Sequence, residues 1–408
     1  MKFNKIINIP TSAVFAAIIF AFAIAFVAVP DKDFSEEENR SLTTFPKFSW
    51  DALVDGSFSS AINTYFADQV PARNSLVGIK GVTETLFGKG ENNGVLLGEN
   101  GQLAVRLFSQ YKSRLERTAD MDYYYTDTVA QSVEALNNWA KSADIPVATI
   151  LPPRSVDVAA SAFSYPTEIS DALQAQLTGS IAPEANYIDL LPIMREKYDA
   201  GEPVYLRTDH HWTAYGAYVA YAELMKSWGM EDEILPMDGF AVEKVEDFYG
   251  TTWSKAGYKF VEPETLEIWT AGNEDQFTTS CISEKQVKGE DGKPTAVKEA
   301  YKTFSGWLDR EYLAAKDKYG AFLSGTHNEQ TVFLGDGNTG RERLLVVKDS
   351  FAHTMVPYLC QHFDIVIINL AAKVANITEY AEEYGCDRVV VVYNWANLIE
   401  NNNMAALK

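Results

Sequence analysis

The chain has 408 residues, 47% apolar and 22% charged, enough for one large domain or two ordinary ones and too apolar for wholesale disorder. Its formal net charge of -21 repels nucleic acid and anionic lipid head groups, and no basic stretch opposes that, so nucleic-acid binding is set aside. Three cysteines (Cys281, Cys360 and Cys386) with no C-x-x-C spacing give no disulfide framework, and the last two, in apolar stretches, read as small buried hydrophobes.

At the amino terminus Lys2 and Lys5 precede an uncharged apolar run from Ala13 to Val29, at the lower limit of length for crossing a bilayer. The run ends in Phe26-Val27-Ala28-Val29-Pro30, without an A-x-A pattern. That favours an uncleaved single-pass anchor over its competitor, secretion after signal-peptide cleavage. In both cases the lysines stay inside and the acidic remainder goes out, as the positive-inside rule requires.

A polar run, Asp31 to Arg40, follows as a stalk, and Phe58, Ile62, Tyr65 and Phe66 then recur at helical spacing. Gln69 to Asn74 reads as a break between helices. Asn92-Asn93-Gly94 and Gly98 to Gly101 bracket Val95–Leu97 in a hairpin-like pattern. A long helical pattern from Tyr123 to Lys141 leads into Pro146 to Leu151, an apolar run suited to a buried parallel strand, and Tyr187 to Leu191 predicts another. Thr213 and Gly229 mark the start and stop of a helix between them. From about 230 to 330 the pattern is less regular, and Gln286 to Lys298 reads as a polar loop. The end of the chain alternates strand 343–347, helix 351–362, strand 365–369, helix 379–384 and strand 388–392, which predicts a covered, mostly parallel sheet.

Two stretches can carry chemistry. In Leu206 to Thr213, extended backbone would put Asp209 and His211 on one face and turn His210 away, and a carboxylate beside an imidazole fixes its tautomer. In Val346 to His353 a buried strand ends and Ser350 occupies the turn before a helix, where strand ends bind ligands and free N–H groups can hold an oxyanion. Taken alone, Asp349 or Ser350 reads as a helix cap, and it is the two stretches together that shift the balance toward chemistry. Asn394 and Asn397, after the last strand, are oxyanion candidates or an ordinary polar turn. Trp212 and Arg154 are further oxyanion or substrate candidates. Trp253 and Trp395 are, with Trp212, the tryptophans to consider for sugar stacking.

Asp209-His210-His211-Trp212 resembles the signature of the bacterial DHHW family. Ser35 to Arg40, Asp55-Gly56 and Asp68 to Arg73 resemble that family's entry segment. Asp-x-His-Trp-Thr, followed much later by a strand ending in Asp-Ser-Phe, is similar to the extracytoplasmic alginate O-acetyltransferase group. The resemblance implies an SGNH (GDSL-like) hydrolase-type three-layer α/β fold with rearranged motif order. The chain then divides into an anchor (1–30), a stalk and helical entry segment (31–120) and a catalytic domain (121–408) with an insertion at about 230–330. It also implies Ser350 as nucleophile, His211 as base and Asp209 as its orienter. Acyl, most often acetyl, would pass to or from a cell-surface polysaccharide, beside a membrane-bound O-acyltransferase that supplies it. Lys348 departs from the family block by standing where that block has Gly. No cofactor is implied. The rival readings are a metal-dependent hydrolase using Asp209, His210 or His211, Asp349 and His353, and a non-catalytic polysaccharide-binding component of a surface-polymer assembly.

Overall fold

The computed structural model describes residues 3–38, 40–106, 127–163, 168–288, 294–370, 376–401 and 403–407. Two compact units emerge: residues 1–92 with 257–260, and residues 93–256 with 261–408.

In the first unit α1 (Phe3–Ala28) contains a stretch, Pro10–Ala28, long and apolar enough to cross a membrane, a property an anchor and a signal sequence share. α2 (Ser57–Gln69) places Tyr65 and Phe66 against Phe26, and α3 (Arg73–Leu86) follows after the expected break. The motifs that resemble the family's entry segment close on one another. Arg40 grips the Asp68 carboxylate through both terminal nitrogens, at 2.6 and 3.2 Å, and Glu38 through Nε at 2.6 Å. Arg73 pairs with the same Glu38. The Gln69 amide donates to the Thr43 carbonyl, and the Arg40 bonds hold the Asp68 carboxyl below its ordinary range.

The second unit is built on an eight-stranded sheet. Its strands are β1 (Val147–Ile150), β2 (Tyr187–Ile188), β3 (Phe277–Lys288), β4 (Pro294–Ser305), β5 (Glu329–Leu334), β6 (Arg343–Lys348), β7 (Asp364–Asn369) and β8 (Arg388–Val392). Their spatial order is β4-β3-β5-β7-β6-β8-β1-β2. From β7 to β2 neighbours run parallel, whereas β5, β3 and β4 join antiparallel, so the sheet is mixed rather than mostly parallel. The difference comes from the middle of the chain. Gln286 to Lys298, expected as a loop, belongs largely to the long β3–β4 hairpin, with 289–293 outside the described residues.

Alternation along the central strands divides the core in two. Ile150, Leu344, Val346, Ile365, Ile367, Val390 and Val392 face the helix α5 (Ala214–Ser227), whose Ala217, Val219, Ala220 and Leu224 are buried there. Val147, Leu345, Val347, Val366, Ile368, Val389 and Val391 face α4 (Asp127–Ser142) and α6 (Ile377–Tyr384). Both faces are therefore covered, which gives three layers and explains the near-continuous apolar runs. α4 realises the long helical pattern from Tyr123, whose positions 123–126 lie outside the described residues. Thr213 caps α5 by accepting from the Gly216 N–H at 3.0 Å, and Gly229 leaves it at φ +69°. The helix expected over 351–362 is two shorter pieces, a 3₁₀ turn over Ser350–Thr354 and an α-helical turn over Val356–Leu359.

Candidate active site

Strands β1, β6 and β8 run in parallel, and the loops leaving their carboxyl ends converge. Asp349 ties two of them together. One carboxylate oxygen accepts from the Phe351 N–H at 3.0 Å, and the other from the Asn394 N–H at 2.7 Å and the Asn397 amide at 2.8 Å. Asp349 is thus the cap of the 3₁₀ turn. Ser350 is left with its hydroxyl directed elsewhere.

That hydroxyl lies 2.7 Å from His211 Nε2, and Asp209 Oδ1 lies 2.6 Å from His211 Nδ1. The three side chains proposed from sequence therefore come within hydrogen-bond distance in series. Asp209 Oδ1 also accepts the His211 backbone N–H at 3.1 Å, so the pair forms through a tight Asp-led turn instead of by strand alternation. For this reason His210 does not turn away as extended backbone would require: its ring centroid lies 3.8 Å from that of His211.

The supports come largely from the middle of the chain, where the sequence suggested only Trp253 as a functional candidate. Asp209 Oδ2 accepts the Thr251 N–H at 2.7 Å and its hydroxyl at 2.9 Å. Burial alone would raise the Asp209 carboxyl, but the two imidazoles and these hydrogen bonds hold it well below the usual carboxylate range. Gly250 is required, because a Cβ there would overlap the Asp209 side chain. Glu264 accepts the Arg207 and Thr208 N–H groups at 2.7 and 2.6 Å, fixing the approach to the turn. Tyr319 stacks on His211 at 4.0 Å and donates its hydroxyl to the Ser350 carbonyl at 3.2 Å. Gly250, before a Thr pair, was the one local signal of such a close approach; Glu264 and Tyr319 had none.

Ser350 opens onto a cavity of ≈ 460 Å³ also lined by Arg154, His210, Lys255, Phe351 and Asn397. The remaining candidates divide. Asn397 lines this cavity with one amide N–H committed to Asp349. Asn394 also reaches the wall, but its amide donates to the Pro152 carbonyl at 2.8 Å and its oxygen accepts from the Ala396 N–H at 3.0 Å. Arg154 reaches the wall with Nε 3.3 Å from Asp157, and its guanidinium lies 5.2 Å from the Trp395 ring centre. Trp212 is not a substrate contact. It is fully buried, and its indole N–H donates to the Phe351 carbonyl and the Thr354 hydroxyl at 3.0 and 2.8 Å. Trp253 and Trp395 are also buried, which removes all three as exposed stacking platforms.

The metal reading loses half its ligand set. Donor atoms of Asp209, His210 and His211 come within 4.8 Å of one another, but both Asp209 oxygens and both His211 nitrogens are already engaged. Asp349 is spent as described. His353 lies behind the turn with its Nε2 on Lys348 Nζ at 2.5 Å. Lys348 is fully buried, and burial lowers its ammonium to about 7.

The chain matches the family model described as DHHW protein over residues 184–369, which contains both Asp209–Trp212 and Ser350. Residues 115–248 match a second model, described as SGNH hydrolase-like domain, acetyltransferase AlgX. The chain thus resembles the DHHW family across both motifs and the SGNH-like acetyltransferase group across the first. Among solved structures, a DHHW family protein from Eubacterium siraeum aligns at 16% identity and a TM-score of 0.52, over 76% of this chain and 97% of that one. Bacillus cereus PatB1, solved with a sulfonyl adduct, aligns at 18% identity and a TM-score of 0.55, over 77% of this chain and 100% of that one. At these identities the likeness is one of fold, and the SGNH hydrolase-like description rests on the family model over residues 115–248. No curated protein matches the chain significantly.

Proposed function

We propose that this chain is an O-acyltransferase or esterase that moves an acyl group, most simply acetyl, to or from hydroxyls of a cell-surface polysaccharide. The observation that carries the reading is the Ser350–His211–Asp209 relay, with contacts of 2.7 and 2.6 Å at the mouth of a cavity. His211 Nε2 takes the Ser350 proton as Oγ attacks the acyl carbonyl, and then returns that proton to the departing alcohol. In the second half the acceptor hydroxyl gives its proton to His211 while its oxygen attacks the acyl carbon. The bond to Oγ breaks, and His211 reprotonates Ser350. Asp209 holds the imidazole with Nδ1 protonated and steadies the imidazolium.

The Ser350 backbone N–H is the oxyanion donor in this scheme, because the Phe351 N–H is spent on Asp349. Asn397 supplies a second, through its remaining amide proton. The acetyltransferase description of the family model over residues 115–248 supports acetyl as the group moved. With α1 as an anchor the catalytic unit works outside the cell membrane, beside a membrane-bound acyltransferase that delivers the acyl group. The test is transfer of acetyl from p-nitrophenyl acetate to a soluble oligosaccharide, read by mass. Parent protein forms the ester and Ser350→Ala does not; equal ester from both would end the proposal.

A further inference from the structure

His210 has no part in the relay, yet its hydrogen bonds fix where its proton sits. The Thr251 hydroxyl has one proton, and it lies 2.9 Å from Asp209 Oδ2, an ionised oxygen that can only accept. Thr251 therefore donates to Asp209 and has only lone pairs left. His210 Nδ1 lies 2.9 Å from that same hydroxyl oxygen and 3.4 Å from Asp209 Oδ1. Both neighbours are acceptors toward it, so the proton is on Nδ1 and Nε2 carries a bare lone pair. Nε2 has no hydrogen-bond partner among the described residues, and the His210 side chain is 41% exposed on the wall of the cavity that holds Ser350. The two imidazoles pack closely, with ring centroids 3.8 Å apart and planes inclined at 38°.

We propose that His210 is the hydroxyl-reading group of this cavity: its Nε2 accepts a hydrogen bond from an acceptor hydroxyl adjacent to the one that attacks. One hydroxyl of a sugar meets His211 and gives up its proton, while its neighbour meets His210 and keeps its own. Water and simple alcohols offer a single hydroxyl and gain nothing from the second imidazole. The ligand class is a carbohydrate or other polyol with neighbouring hydroxyls. The proposal rests on the acyl-enzyme reading and adds a basis for choosing sugar over water. Desolvation at the cavity wall and the adjacent His211 lower the His210 imidazolium from its ordinary value, which favours the neutral ring with its lone pair.

The test is partition of the acetyl group. Full-length protein in detergent micelles is given p-nitrophenyl acetate with a cello-oligosaccharide or with methanol, and sugar ester, methyl ester and free acetate are counted. In His210→Phe the ratio of sugar ester to acetate falls about tenfold, the worth of one hydrogen bond to a well-placed group, while the ratio of methyl ester to acetate holds. His210→Gln, which keeps an acceptor oxygen, recovers part of the sugar ratio. An unchanged sugar ratio in His210→Phe overturns the proposal, as does a fall of both ratios together. A parent protein that releases no nitrophenolate overturns the acyl-enzyme reading itself. A parent that releases it but favours methanol as much as sugar overturns only the role of His210.

Discussion

Two buried histidines flank the Ser350 turn, and they are held in opposite ways. His211 has a carboxylate on one nitrogen and a hydroxyl on the other, at the edge of a cavity. His353 is sealed behind the turn with an amine on Nε2, and its Nδ1 has no hydrogen-bond partner among the described residues. Burial and the neighbouring Lys348 push the His353 imidazolium well below its ordinary range. The same ring is therefore set between a carboxylate and a hydroxyl in one place and kept from protonation in the other. The partner decides, not the residue type.

The largest effects should come from taking the relay apart. Ser350→Ala or His211→Ala should lower acyl transfer by about 10³-fold or more, and Asp209→Asn by roughly 10²- to 10⁴-fold, since residues acting as a unit fail as a unit. Steady-state rates on p-nitrophenyl acetate check this, and activity within a few-fold of parent for Asp209→Asn would break the contrast between the two histidines. A smaller loss, on the order of 10- to 100-fold, is expected for Gly250→Ala. The new methyl must displace Asp209, and small misplacements of a catalytic group are costly. A retained melting temperature with reduced turnover is the expected signature.

These support residues also mark what the sequence could and could not tell. That Asp209, His211 and Ser350 belong to one candidate site was legible because their sequence signals are local: an Asp-x-His before a capped helix, and a Ser where an apolar strand stops. The central strands were legible because both their faces are covered and the apolar runs are continuous. The direction of His210 was not, because it depends on Asp209 accepting the His211 N–H, which replaces extended backbone with a turn. Thr251, Glu264 and Tyr319 lie 42 to 110 positions from Asp209 in the chain and reach it only through tertiary packing. The β3–β4 hairpin escaped notice because it is an edge element. In its first half Phe277, Thr279 and Cys281 turn inward, and an inward Thr weakens the apolar alternation.

A subtler test concerns Lys348. Its ammonium is lowered to about 7 in the fold, against an ordinary value near 10.5, so between these limits the unfolded chain binds the extra proton. Stability should therefore rise with pH from about 7 toward 10, by at most roughly 3–5 kcal/mol. Lys348→Met should flatten that rise and melt higher than the parent near pH 6. Thermal melts across this range decide it, and a parent curve that falls from pH 7 to 9 would contradict a buried neutral amine. The smallest effect is expected at Asn397. Asn397→Ala removes a cavity-wall amide and one of the three bonds to Asp349, and should slow acylation about tenfold or less.

The relay itself is tested most directly by covalent capture. The protein is treated with a sulfonyl fluoride near neutral pH and digested, and the adduct is mapped by mass spectrometry. The account predicts one adduct, on Ser350, formed far more slowly in His211→Ala and absent in Ser350→Ala. An adduct on another residue, or equal labelling of Ser350→Ala, would contradict it.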